Sequence, residues 1–361
     1  MQHTIESNKT MLVDGPASVR LVTGKAGLLG YPMKESQRVL IREGKRLPFF
    51  IVEKSTFEVL LGANSGIAET VGSTNPSSWD KPVEIILGLQ KRPVVAMVLG
   101  AADCGKSSLC AYLLNKLVDG KCKVAVLDGD VGQSDIGPSG TVGYGIASKP
   151  VPQLTNLKLR NAFFVGVTSP IAALAKVVEG LKAMKEEILQ QQVDFVLVNT
   201  DGWISGDVAV KYKTDLIEAL KPDVIVGIQM QNELAPLIAS LETPAIIVEP
   251  SFALKQRTPE KRKILREMTY ARYLKHPKLQ CIPKSQVTIE PRNAIPKNQE
   301  PEKGILLGIY GRGSKFLGIG VLREVNQLRK AIKVQTSVSA IPQRIVIGKV
   351  IVNEKFQEVQ D

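Results

Sequence analysis

Between Val94 and Pro250 the chain alternates short apolar runs with stretches of helical length. VVAMVLG, KVAVLDGD, AFFVGV, FVLVNTDGW, DVIVGIQ and AIIVEP are each followed by polar or glycine-containing turns. Strands that are apolar on both faces belong in the middle layer of a fold, so this alternation predicts a parallel sheet with helices on both faces. Ligands of such sheets gather at the carboxyl ends of the strands. Residues 1 to about 85 read differently: SVRLVTG, RVLIREG, FFIVEK and FEVLLG are short strand-like runs separated by Gly, Pro and Asn signals. They predict an N-terminal β-domain over 1–85, closed by the loop NPSSWDKP, Asn75 to Pro82. After Cys281 a polar, proline-rich connector, IPKSQVTIEPRNAIPKNQEPEKG, leads into GILLGIY, FLGIGVLREV and RIVIGKVIV. These return to β patterning and predict a C-terminal β-domain over 281–361, leaving 86–280 for the α/β domain.

Composition agrees with that division, since 361 residues exceed what one core usually serves. With 44% apolar and 23% charged residues the chain reads as globular, neither disordered nor fibrous. No apolar run approaches the roughly 18 to 20 residues of a membrane span, and MQHTIESNKT lacks the layout of a secretion signal. The expected address is cytoplasmic, with no membrane partner. Cys104, Cys110, Cys122 and Cys281 form no CxxC pair and only His3 and His276 could assist them, which argues for reduced thiols and against a zinc site or disulfide framework.

Forty-seven basic residues against 35 acidic ones give a net charge of +12, which favours a polyanionic partner but also suits a merely soluble basic surface. The excess is concentrated between Lys255 and Lys278, where nine basic residues meet two acidic ones. Within that stretch Thr258 suits a helix N-cap and Pro259 the first helical position, so a helix is expected to about Leu274. Arg262 and Arg266, four apart, share one of its faces.

The chemistry-bearing segment is Gly100-Ala101-Ala102-Asp103-Cys104-Gly105-Lys106-Ser107, which fits G-x-x-x-x-G-K-[ST] between the strand VVAMVL and the helix-like SSLCAYLLNKLV. Glycines there let backbone N–H groups turn onto phosphates, and the helix N-terminus adds its positive dipole end. Lys106 reaches the terminal phosphates, Ser107 ligates Mg²⁺, and the loop through Ser108 holds a nucleoside triphosphate. The next strand ends Asp128-Gly-Asp130-Val-Gly-Gln133. Asp128 and Asp130, two apart on an extended segment, project to one side. One is placed to serve the metal and the other to face an incoming hydroxyl, although a turn-capping role for Asp130 and Gln133 stays open.

A P-loop identifies the phosphoryl donor and not the acceptor. Guanine specificity would need Asn-Lys-x-Asp, whereas Asn199-Thr200-Asp201-Gly202 lacks the lysine; a ParA/MinD-type ATPase would carry a second lysine where Ala101 and Ala102 stand. The combination instead resembles the polynucleotide 5′-hydroxyl kinase family, which includes the kinase subunit of the pre-mRNA cleavage complex, ribosomal-RNA-processing kinases and archaeal relatives. Four signatures carry the resemblance: the P-loop with Asp103 at its fourth position, the D-x-D-x-G-Q box from Asp128 to Gln133, T-x-G-W at Thr200 to Trp203, and the arginines Arg257, Arg262, Arg266 and Arg272. A lesser echo, F-x-G-x-T-S-P, lies at Phe164 to Pro170, and Ala101 departs from the family's usual proline.

The resemblance implies a P-loop NTPase-type α/β fold flanked by β-domains, using ATP and Mg²⁺ to phosphorylate the 5′-hydroxyl end of RNA, with DNA left open alongside, in RNA processing or repair with protein partners. It implies Asp130 as general base and Lys106, Arg262 and Arg266 as charge-stabilising residues, the two arginines on a lid near 255–275. Asp128 and Ser107 would hold the metal. Gln133, Thr200, Trp203 and Arg257 would meet the nucleic acid, Trp203 by stacking the terminal base. Two other readings are a catalytically weak ATP-bound scaffold of an RNA-processing complex and a P-loop ATPase unrelated to nucleic acid.

Overall fold

The computed structural model describes residues 1–118, 121–239, 241, 243–290 and 301–359; the middle of the proline-rich connector, 291–300, lies outside the described residues. Strands β1 (Gln2–Ile5), β2 (Lys9–Asp14), β3 (Ala17–Leu28), β4 (Tyr31–Pro32), β5 (Arg38–Ile41), β6 (Arg46–Leu61) and β7 (Gly66–Val71) come first. They are followed by α1 (Asp80–Gly88), β8 (Val94–Gly100), α2 (Lys106–Leu117), β9 (Val124–Asp128), β10 (Thr141–Ala147), β11 (Leu159–Phe164) and α3 (Leu174–Leu189). Next come β12 (Phe195–Asn199), α4 (Asp207–Leu220), β13 (Val224–Ile228), α5 (Ala235–Ile238), β14 (Ala245–Val248) and α6 (Pro259–Tyr273). The chain ends in β15 (Lys278–Pro283), β16 (Thr288–Glu290), β17 (Ile305–Tyr310), β18 (Phe316–Asn326), β19 (Ala331–Thr336) and β20 (Arg344–Ile351). No helix among the described residues is long and apolar enough to cross a membrane.

Contacts group the chain into two units. The first comprises Met1–Leu127, Gly145–Lys158 and Glu187–Thr258, and the second Asp128–Tyr144, Leu159–Glu186 and Pro259–Asp361.

In the first unit the N-terminal strands form one sheet in the order β4-β3-β6-β2-β7, with β1 on β6 and β5 on β3. FFIVEK and FEVLLG, expected as two strands, are one: β6 runs sixteen residues through Lys54-Ser55-Thr56. That polar triplet contains no Gly, Pro or Asn to turn the chain, and the buried Ser55 hydroxyl donates to the Lys25 and Glu53 carbonyls.

The apolar strands of the same unit lie side by side as β9-β12-β8-β13-β14. β12 and β13 flank β8 in parallel, and β14 runs parallel to β13. The Lys123 carbonyl, just before β9, accepts the backbone N–H groups of Asp194 and Phe195 at 2.9 and 3.3 Å, so β9 and β12 enter from one edge. Three carboxyl ends, those of β8, β12 and β9, therefore reach the opposite edge together. Trp79 is fully buried, donates its indole N–H to the Glu249 carbonyl at 2.9 Å and meets Tyr112 edge-on at 5.6 Å.

The second unit contains the six-stranded sheet β15-β19-β18-β17-β20-β16. β17 is antiparallel to both neighbours, while β16 lies parallel to β20 at the edge. Its core joins Phe164, Leu306, Tyr310 and Phe316 to Tyr270 and Leu274 at the end of α6. The Tyr310 hydroxyl accepts from the Phe164 N–H at 2.6 Å. A β-carbon at Gly308 would stand 2.4 Å from the Phe164 ring, and one at Gly166, whose φ is +80°, would stand 2.6 Å from Gly348. Two positions of the F-x-G-x-T-S-P echo thus serve packing.

Among the described residues, eight strands lie outside the runs named from the sequence: β1, β2, β4, β7, β10, β15, β16 and β19. In β10 the glycines read as turn signals, but they mark close approach instead. A β-carbon at Gly143 would lie 2.9 Å from Leu159, and one at Gly145 would lie 2.9 Å from Leu157.

Asn115 on α2 gives a test of the first unit. Its buried amide donates to the Leu29 and Val151 carbonyls at 2.8 and 2.9 Å and accepts from the Val151 N–H at 2.8 Å. Asn115→Leu leaves those backbone groups unpartnered, and urea unfolding is expected to show a loss of about 2 to 4 kcal/mol.

Candidate active site

The P-loop begins where β8 ends. Gly100 (φ +153°) has no room for a side chain, since a β-carbon would stand 2.6 Å from the Cys104 sulfur and 2.7 Å from the Ile228 carbonyl. Gly105 caps α2 with φ +102°, a conformation that favours glycine. Asp103 adopts the left-handed region at φ +59°, where aspartate is among the tolerated residues. Ala101, Ala102 and Cys104 complete the turn, with the Cys104 N–H 3.4 Å from the Ala101 carbonyl. Burial pushes the Cys104 thiol up, against the opposing pull of the Lys106 charge.

Lys106 is the first residue of α2 and is buried; its ammonium donates to the Gly100 and Ala101 carbonyls at 3.0 and 2.7 Å. The cation is thereby held within the loop whose N–H groups face a phosphate in this motif. Ser107 and Ser108 follow on the first turn. The Ser107 hydroxyl lies 3.5 Å from the Asn199 side-chain nitrogen, at the end of the neighbouring strand β12. A hydroxyl beside bound phosphate oxygens is the donor set that Mg²⁺ takes in such loops, so Ser107 fits the metal. Among the described residues no group of three or more His, Cys, Asp or Glu side chains could hold a metal by itself.

Asp103 reaches across to the arginine-rich segment. Its Oδ1 lies 3.1 Å from Arg257 Nε, and its Oδ2 accepts the Arg257 backbone N–H at 3.0 Å. Arg257, expected to meet nucleic acid, is therefore paired with the fourth residue of the P-loop.

β12 delivers the T-x-G-W turn beside this loop. Thr200, expected to contact nucleic acid, is instead fully buried, and its hydroxyl donates to the Val98 carbonyl at 2.8 Å, tying β12 to β8. Gly202 packs on the P-loop itself, where a β-carbon would stand 2.5 Å from the nitrogen and Cα of Ala102. Trp203 comes next, half-buried, with its ring stacked on Tyr212 of α4 at 6.0 Å and 27°. Asp201 binds this turn together, accepting the Trp203 N–H at 3.0 Å, the Tyr212 hydroxyl at 2.9 Å and the Lys213 ammonium at 2.8 Å.

In the second unit the D-x-D-x-G-Q box forms a compact turn. Asp128 is fully buried, and its Oδ2 accepts from the Ser134 hydroxyl at 2.9 Å and the Asp135 and Ile136 N–H groups at 2.7 and 3.2 Å. Its carboxylate, expected to serve the metal, shapes the loop through these bonds. Asp130 Oδ1 accepts the Gly132 and Gln133 N–H groups at 3.1 and 2.9 Å, the turn-capping arrangement left open in the sequence. Gln133, also expected to meet nucleic acid, spends its amide on the Gly132 carbonyl at 2.8 Å and the Arg262 carbonyl at 3.0 Å.

That bond ties the box to α6 at one end, and the Tyr273 hydroxyl, donating to the Ile136 carbonyl at 2.9 Å, ties it at the other. Both bonds hold α6, expected as a lid, against the box. Pro259 starts α6 where expected, but Arg266 points elsewhere than the lid assignment required. Its guanidinium makes a two-pronged pair with Glu358 at 2.7 and 2.6 Å, to which the Tyr270 hydroxyl also donates at 2.9 Å. Burial alone would lower the Arg266 pKa, and the bonds to Glu358 carry the net shift upward.

Sequence reasoning passed over Asn199, Tyr212, Lys213 and Glu358. Only Lys213 carried a local signal. Ala209, Tyr212, Lys213, Leu216, Ile217 and Leu220 are the buried stripe of α4, and a lysine occupies one of its core positions.

A strand-loop-helix phosphate cradle on a parallel sheet defines a P-loop nucleotide-binding protein. Residues 100–276 match the family model described as mRNA cleavage and polyadenylation factor CLP1 P-loop. The chain is 27% identical over 338 residues to a polyribonucleotide 5′-hydroxyl-kinase of Pyrococcus furiosus, covering 79% of this chain and 94% of that protein. It is 34% identical over 216 residues to one of Thermococcus kodakarensis, covering 59% of this chain and 60% of the relative. A chain of the solved wild-type Clp1p–Pcf11p complex superposes with a TM-score of 0.75 at 12% identity over 97% of each chain, which shows a common fold.

The approach of Gly202 to Ala102 makes a specific expectation. Gly202→Ala forces the P-loop backbone to shift, so affinity for a fluorescent ATP analogue should fall roughly tenfold, the effect of a modest overpacking strain.

Proposed function

We propose that this protein is an ATP-dependent kinase that transfers the γ-phosphoryl group of ATP to the 5′-hydroxyl end of RNA. One observation carries the proposal: the P-loop is in contact, through Gly202, with the turn that presents Trp203. Donor cradle and aromatic platform are thus fixed to one another on one sheet edge. The names of the relatives support the same substrate class.

Phosphoryl transfer has a loose transition state, so the protein contributes positioning and charge stabilisation more than covalent chemistry. Lys106 leaves its carbonyl partners for the β- and γ-phosphates, and the N–H groups between Gly100 and Ser108 hold the remaining phosphate oxygens. Ser107 would hold Mg²⁺, which would neutralise charge on the phosphates. Asp130 accepts the proton of the attacking 5′-hydroxyl. Trp203 stacks the terminal base without choosing among bases, contributing roughly 1 to 3 kcal/mol. The cationic contribution of α6 is assigned to Arg262, one helical turn before Arg266. The three sheets are read as three domains, with RNA processing or repair as the setting.

Labelled ATP, Mg²⁺ and oligonucleotides ending in 5′-hydroxyl or 5′-phosphate test the proposal. Label is expected on the hydroxyl ends alone; label appearing solely as free phosphate would point to an ATPase. Lys106→Ala and Asp130→Asn should abolish transfer, whereas Trp203→Ala should act mainly on KM for the oligonucleotide. Unchanged rates in the first two would remove the site assignment.

A further inference from the structure

Lys213 is a fully buried lysine in the apolar stripe of α4, beneath the turn that carries Trp203. Its ammonium lies 2.8 Å from Asp201 Oδ2, 3.1 Å from the Asp201 carbonyl and 4.9 Å from the centre of the Tyr212 ring. Asp201 is nearly as buried, and its carboxylate also takes the Tyr212 hydroxyl and the Trp203 N–H. Removing both charges from water costs more than a simple pairing returns in many proteins, and an apolar pair of equal volume often leaves stability unchanged or raised. Stability alone is therefore a poor account of a lysine where the stripe calls for leucine or methionine.

The geometry supplies another. Asp201 occupies the open position of T-x-G-W, where the fixed letters of the motif do not specify its partners. One of its oxygens holds the backbone at Trp203, and the other is shared by Tyr212, on which the indole stacks, and Lys213. Backbone and ring of Trp203 are thus both set by a single carboxylate, and Lys213 sets the carboxylate.

We propose that Lys213 and Asp201 are positioning residues for terminal-base recognition: their buried pair orients the Trp203–Tyr212 aromatic stack on which the first base of the RNA lies. This rests on the assignment of Trp203 as the stacking residue. The pair touches neither phosphate nor hydroxyl, so it acts on KM for the oligonucleotide and leaves KM for ATP unchanged.

Lys213→Met removes the ammonium, and its isolated buried carboxylate endangers folding. The paired variant Lys213→Met/Asp201→Asn restores neutrality and keeps the shape. It is expected to fold with a Tm at or above the parent's, to keep the parent's KM for ATP, and to raise KM for a 5′-hydroxyl RNA oligonucleotide roughly tenfold, the scale of one lost base stack. With an oligonucleotide whose 5′-terminal residue is abasic, parent and paired variant should show the same KM, because no base remains to be oriented. In a Trp203→Ala background the two further substitutions should likewise add nothing. A folded paired variant with the parent's KM for the intact oligonucleotide would overturn the positioning role, as would an increase that persists on the abasic substrate or in the Trp203→Ala background. If Trp203→Ala itself leaves KM unchanged, the stacking assignment fails first and this inference falls with it; if Trp203→Ala raises KM and the paired variant does not, stacking stands and only the positioning role is lost.

Discussion

Gly202 passes the P-loop so closely that a side chain has no place: the backbone of Ala102 fills the space a β-carbon would need. This approach is possible because β12 lies directly beside β8, in parallel register from Phe195 opposite Val94 to Asn199 opposite Val98. The Thr200 hydroxyl then locks the strand ends together just before the turn. Everything that gives the phosphate cradle a neighbouring platform follows from that adjacency. Asn199 meets Ser107, Gly202 meets Ala102, and Trp203 emerges one residue later at a position the loop itself defines. A parallel sheet brings the carboxyl ends of adjacent strands to one edge, and here two of them hold the donor site and the aromatic ring.

Buried and half-buried carboxylates do much of the shaping around this edge. Asp103 joins the P-loop to Arg257, and Asp201 joins the tryptophan turn to Lys213. Within the second unit Glu358 plays the same part for Arg266 and Tyr270. Such pairs add little net stability for their burial, but each permits few alternative arrangements, because removing one partner strands the other. Geometry, more than stability, is what they provide, and phosphoryl transfer is a reaction that depends on positioning.

The phosphate loop is legible in the sequence because its requirements are local: two glycines, a lysine and a serine at fixed spacing, after an apolar strand and before a helix. The parallel sheet is legible for a similar reason, from the apolar runs of β8, β9, β12, β13 and β14. Partners remote along the chain are not. Asp103 and Arg257 are 154 residues apart, and Arg266 and Glu358 are 92 apart, so no spacing rule links them. The arginine run reads as a single cationic lid, whereas the fold divides it, giving Arg257 to the P-loop and Arg266 to the end of the chain. Thr200 and Gln133 read as ligand contacts because they stand in signatures, yet their side chains bond the frame. Lys213 could have been found, since a lysine in the buried stripe of an amphipathic helix requires a partner. The sixteen-residue β6 and the glycine-bearing β10 show the complementary failure: turn residues alone do not decide where a strand stops, because tertiary contacts also use glycine for close approach.

The central claim is that the first base of the RNA lies on the aromatic ring beside the P-loop. It is tested most directly by photocrosslinking with a 5′-hydroxyl oligonucleotide carrying 4-thiouridine at its first position, in the presence of a non-hydrolysable ATP analogue and Mg²⁺. Mass spectrometry should find the crosslink on the peptide that contains Trp203. A crosslink confined to the N-terminal sheet, between Gln2 and Val71, would contradict the account.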